Sequence, residues 1–84
     1  MKATCFIVRG SGSENNLFDS YVFYNVEDAK RRMLAMAENE KEFQLREWQE
    51  DFETIREDEY STLVRGINRK DTWMRFEIEE TTIE

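Results

Sequence analysis

Nineteen carboxylates, twelve bases, one thiol and no imidazole make up the reactive inventory of this 84-residue sequence. Without histidine the chain lacks the commonest general base near neutral pH and the commonest metal ligand. Cys5 therefore has no Cys/His nucleophilic partner and no Cys/His zinc set can form; its neighbours Phe6 and Ile7 mark it as a buried, unreactive thiol. The stretch Gly10-Ser11-Gly12-Ser13 shares glycines with phosphate-binding loops, but it lacks the third glycine and the Lys-Ser/Thr ending and leads into a strand. It reads as a hairpin tip. A general acid needs a carboxyl whose pKa is raised in an apolar pocket, whereas Glu57, Asp58 and Glu59 form a polar, turn-like run. That run also lacks the Asp/Asn alternation and central glycine of a calcium loop. No catalytic residue, cofactor-binding residue or metal ligand is expected, and the chain is expected not to be an enzyme.

The distribution of charge is more informative than its sum. The formal net charge is −7. Between Glu38 and Glu59 there are ten acids and three bases, while the two flanks together hold nine of each, so the whole excess lies in one central window. Such a field repels nucleic acid and anionic membrane and steers toward a basic protein surface. The residues expected to meet that partner are Glu47, Trp48, Glu50, Asp51, Glu53, Glu57, Asp58 and Glu59. Trp48 is the aromatic expected at the surface, flanked by Arg46, Glu47, Gln49 and Glu50, whereas Trp73 and Tyr60 are expected to complete the core. Lys30, Arg31, Arg32, Arg65, Arg69, Lys70 and Arg75 should pair with acids on neighbouring faces rather than form a nucleic-acid footprint.

The elements that must position these side chains follow from periodicity. Lys2 to Arg9 reads as an interior strand, because Cys5, Phe6, Ile7 and Val8 are apolar on both faces. Gly10 to Asn16 reads as a loop, and Leu17 to Tyr24 as the second strand of a hairpin. Asn25 is an N-cap candidate with Glu27 and Asp28 in the following turn, so a helix should begin at Val26. Ala29, Met33, Met36, Ala37 and Phe43 then form one apolar stripe to pack on the sheet. Leu45, Trp48, Phe52 and Ile55 fall out of phase with it. The preferred reading is two further strands, Phe52 to Arg56 and Tyr60 to Ile67, joined by the acidic turn; the alternative is a second short helix around residues 44 to 56. In Thr72 to Thr81, Met74, Phe76 and Ile78 alternate with Trp73, Arg75, Glu77 and Glu79, the pattern of a strand with one covered face.

An α+β fold results: an antiparallel sheet packed against one main helix, in the order β-β-α-β-β-β, with residues 1–84 as a single compact domain. A domain of this length buries only about 60% of its unfolded surface, so one modest core is the ceiling. A lone cysteine, an apolar run at Ala3 to Val8 too short for a signal peptide and the absence of any membrane-length apolar stretch lead to a cytoplasmic expectation. In size, acidity and element order the chain resembles small phage-encoded accessory proteins, including some anti-CRISPR inhibitors. That resemblance spans the whole chain, rests on no motif, and implies a nucleic-acid decoy that occupies the groove of a nucleic-acid-binding protein. One alternative function is a self-associating structural or assembly protein, a homodimer formed by a sheet edge such as Thr72 to Thr81; the other, set against the expectation of no catalysis, is a small enzyme whose site would be a carboxylate with a raised pKa in a concave pocket.

Overall fold

The computed structural model describes residues 2–14 and 18–83. Its elements are β1 (Ala3–Gly12), β2 (Tyr21–Phe23), α1 (Val26–Trp48), β3 (Phe52–Asp58), β4 (Ser61–Gly66) and β5 (Trp73–Ile83), the β-β-α-β-β-β order that periodicity predicts. The strands form one antiparallel sheet in the order β2-β1-β5-β4-β3, and α1 lies across one of its faces.

Alternation decides which side chains lie beneath the helix. From β1 come Phe6 and Val8, from β5 Met74, Phe76 and Ile78, from β4 Val64 and from β3 Phe52; all are buried against Ala29, Met33 and Ala37 of α1. Thr62 sits among them with no hydrogen-bond partner for its hydroxyl among the described residues, a cost of about 1–3 kcal/mol. Cys5 is buried, as its neighbours indicate. β1 runs past the position where glycine composition predicts a loop, and Gly10 shows why. A Cβ there would lie 2.7 Å from the ring of Phe18 and 2.9 Å from that of Phe76. The glycine is a strand residue that makes room for two rings packed edge to face at 5.0 Å. β2 is correspondingly shorter than predicted; of the Leu17 to Tyr24 strand, Leu17 lies outside the described residues, as do Asn15 and Asn16 of the loop.

Asn25 caps α1, its side-chain oxygen accepting from the backbone N–H groups of Glu27 (2.8 Å) and Asp28 (3.3 Å). The helix then runs unbroken to Trp48. Residues 44–48 are its last turn and residues 52–58 are β3, so the strand reading holds and the second helix does not form. The helix stops at Gln49, which adopts the left-handed conformation at φ 55°. The Gln49 and Glu50 N–H groups donate back to the carbonyls of Leu45 and Gln44, and the first of these is the single 5→1 bond of a left-handed cap made without glycine. Beyond it the chain reverses, and β3 runs back along the helix.

Topology corrects one expectation outright. The strand from Thr72 to Thr81 is no free edge: β5 is the central strand, bonded to β1 on one side and β4 on the other. The edges are β2, three residues long, and β3, whose register breaks between Arg56 and Asp58. Among the described residues no helix is long and apolar enough to cross a membrane.

Candidate functional site

The buried stripe of α1 ends at Ala37. Helical spacing places Glu40 and Gln44 next on the same line, and these are polar, the Gln44 amide donating to the Glu40 carboxylate at 3.0 Å. The helix nevertheless continues from residue 38 to residue 48, about 16 Å at 1.5 Å per residue. It forms an arm with no core of its own. On this arm Phe43 is 40% exposed, Leu45 53% and Trp48 66%. Phe43, expected on the packed stripe, is thus at the surface, because the apolar floor has ended before its turn of the helix is reached.

Acids surround these apolar groups. Glu38, Glu42 and Glu47 are exposed on the arm, with Arg46 in contact with Glu47 at 3.3 Å, and Glu50 and Asp51 follow in the connection to β3. Beneath the arm lies an open groove of about 430 Å³ whose walls include Phe43, Trp48 and Phe52, with Glu40, Glu50 and Arg69 around them. Arg69 lies 3.4 Å from Glu14 at the mouth. Three apolar side chains, Phe43, Trp48 and Phe52, share the groove with a mostly anionic rim, and Trp48 stands at the surface. Such a surface takes a partner's apolar and cationic side chains together.

The structure gathers only part of the predicted set. Glu47, Trp48, Glu50 and Asp51 meet at the end of the arm. Glu53 and Glu57 lie on β3 with their side chains on the helix-free face of the sheet, where Glu53 pairs with Arg65 at 2.9 Å and Glu57 takes Arg75 through both oxygens at 2.7 and 3.1 Å. Glu57 is therefore a strand residue, not part of the solvated turn. Hydrogen bonds from Arg75 and Ser61 hold its carboxyl below the usual carboxylate range, and Glu57 in turn raises the Arg75 guanidinium. Asp58 and Glu59 lie at the far end of β3. Asp58 accepts from the Tyr60 N–H at 2.7 Å, and Glu59 stands 3.7 Å from Lys30 near the start of α1. The eight residues occupy three surfaces of a molecule 49 Å long, because the reversal at residues 49–51 carries the second half of the segment back the other way.

Sequence reasoning missed Phe43, Leu45, Glu40 and Arg69. The signal for Leu45 was present: beyond residue 43 the apolar residues leave the Met33–Ala37 stripe, which marks a helix outrunning its sheet rather than a helix breaking, whereas Phe43 is in phase with the stripe and carried none. Arg69 carried no such signal, since its place opposite the arm depends on the β4–β5 connection. Of the other bases expected to pair, Arg31 meets Asp28 and Lys30 meets Glu27 and Glu59, and Arg9, outside that set, meets Glu79. Arg32 stacks on the Tyr21 ring at 4.5 Å. Among the described residues no group of three acidic or cysteine side chains is arranged to hold a metal ion. Comparisons with protein-family models, curated proteins and solved structures give no match, so the site stands on its own geometry.

Proposed function

We propose that this chain is a non-enzymatic, cytoplasmic binding protein that docks a basic protein surface with the acidic, aromatic end of α1. The observation that carries this reading is the exposure of Phe43, Leu45 and Trp48 among carboxylates on a length of helix that contributes no buried side chain. Ordering backbone costs about 1–2 kcal/mol per residue, and these residues recover little of that cost from the fold itself. A partner that buries Trp48 would supply the missing contacts, as aromatic anchors ringed by polar groups do at binding hot spots. The carboxylates set which partner arrives: a cationic one, with an association rate that falls as salt rises.

The division of the acidic segment narrows the proposal. A nucleic-acid decoy needs a continuous anionic track, and Glu53 and Glu57 are already engaged by arginines while Asp58 and Glu59 lie at the other end of the strand. Docking through Glu42, Glu47, Trp48, Glu50 and Asp51 is the form that the geometry favours, with a nucleic-acid-binding protein of a phage-like setting as one source of such a basic surface.

The test compares three chains in affinity capture from the native host: the natural sequence, the quadruple substitution Glu42→Gln, Glu47→Gln, Glu50→Gln, Asp51→Asn, and Trp48→Ala. The expected result is one basic protein, held by the natural chain, released as salt is raised, and lost with both variants. The captured protein is then purified and titrated against each chain. Equal affinity for the natural and neutralised chains would overturn the proposal.

A further inference from the structure

A second surface, independent of the arm, is left open by the fold. The helix covers one face of the sheet, and strand register assembles the other. On it, Val22 stands beside Ile7 at one corner, while Ile55 stands beside Leu63, with Trp73 one residue pair further along, at the diagonal corner. Val22 is 55% exposed, and the other four are partly exposed.

The charges between these corners are already paired. Arg9 meets Glu79 at 3.0 Å, Arg65 meets Glu53 at 2.9 Å, and Arg75 binds Glu57 at 2.7 Å while its guanidinium stacks 5.3 Å from the Trp73 ring centre. Counting Glu77 and Asp58, which register sets beside Ser61, this face holds three bases and five acids, a net of −2 out of the chain's −7. Repulsion between two copies is weak on this face, and its paired ionic groups enter contact with partners in place, which lowers the cost of covering them.

We infer that the helix-free face of the sheet is where two copies of this chain meet. A two-fold axis lying in that face sets the Ile7–Val22 corner of one copy over the Ile55–Leu63–Trp73 corner of the other, so one operation covers both apolar corners of each copy. Between the corners lies a depression of about 520 Å³ lined by Arg9, Ser11, Glu77 and Glu79, and it leaves space for facing side chains. At about 3.3 Å per residue and 4.8 Å per strand the face projects to roughly 600 Å². Side-chain relief brings its accessible area toward the ~800 Å² per partner of a standard interface. The edges are poor competitors: β2 is three residues long, and β3 carries Glu53, Arg56, Glu57 and Asp58 with a register break.

Sedimentation equilibrium of the full chain across micromolar concentrations tests this. The expected result is a monomer–dimer equilibrium that tightens as salt is raised, because screening relieves repulsion between two −7 copies. Leu63→Asp should raise the dissociation constant by about tenfold or more. Val22→Asp, at an exposed position where folding is not at stake, should do the same, with circular dichroism confirming both folds, and Trp48→Ala should leave the equilibrium unchanged. A natural chain that stays monomeric overturns the inference. So does a dimer indifferent to both aspartates, which would transfer the contact to the edge of β3.

Discussion

The two halves of α1 are built from the same kinds of residue and held by the same backbone hydrogen bonds, yet they differ in what lies beneath them. In the first half Ala29, Met33 and Ala37 are fully buried on the sheet and an asparagine caps the start. In the second half the corresponding line is Glu40 and Gln44, the apolar groups face water, and the end is closed by a residue in the left-handed region. The first half is part of the fold. The second is held out from it, and the difference separates residues that make the domain stable from residues free to make it bind.

The comparison breaks if substitutions in the two halves cost the same. Met33→Ala removes a fully buried side chain and leaves a cavity, so it should destabilise the domain by about 2–5 kcal/mol, a large fraction of what a domain this size has. Trp48→Ala, although it deletes a larger side chain, should change stability by less than about 0.5 kcal/mol, as surface substitutions do. Chemical denaturation midpoints of the two variants measure both. A Trp48→Ala loss comparable to that of Met33→Ala would mean that the arm belongs to the core after all.

At the helix ends the same contrast is finer. Asn25→Ala removes the acceptor for two backbone N–H groups and should cost about 1 kcal/mol of global stability. Gln49→Gly acts in the opposite direction. A non-glycine residue at φ 55° carries a left-handed strain that glycine avoids, so this substitution should gain up to about 1 kcal/mol. Because the arm frays without unfolding the sheet, native-state hydrogen exchange should register that gain in the amides of residues 42–48 and leave those of residues 33–37 unchanged. Equal slowing in both halves would show that the helix opens as one unit.

Local patterns made the element order, the Asn25 cap, the alternation along β5 and the exposure of Trp48 legible in the sequence, since each depends on residues within a turn or two of one another. What was illegible depends on distant partners. Gly10 to Gly12 read as loop because the reason for glycine at Gly10, the rings of Phe18 and Phe76, lies elsewhere in the chain. β5 read as an edge because one strand's pattern says which face is covered and nothing about how many neighbours it has. The acidic segment read as one surface because sequence proximity from Glu47 to Glu59 conceals the reversal at residues 49–51, which delivers Glu53 and Glu57 to arginines on β4 and β5.

That reversal sorts the carboxylates into two kinds, and pH distinguishes them. Neutralising arm acids such as Glu47 and Glu50 should leave stability unchanged or slightly raised, since they crowd like charge. Glu57 is different. Its carboxyl titrates below the usual range in the folded protein because Arg75 and Ser61 bind the charged form, so the unfolded chain takes up the proton more readily. Its contribution is complete above the ordinary carboxylate pKa and is lost as pH falls through the lowered folded value. Glu57→Gln should therefore cost something under about 1 kcal/mol near neutral pH, the scale of a partly exposed ion pair. The cost should vanish in acid, where natural chain and variant converge. Thermal melts of the two proteins across the acidic range measure the convergence; a constant gap at every pH would assign Glu57 a packing role in place of an ionic one.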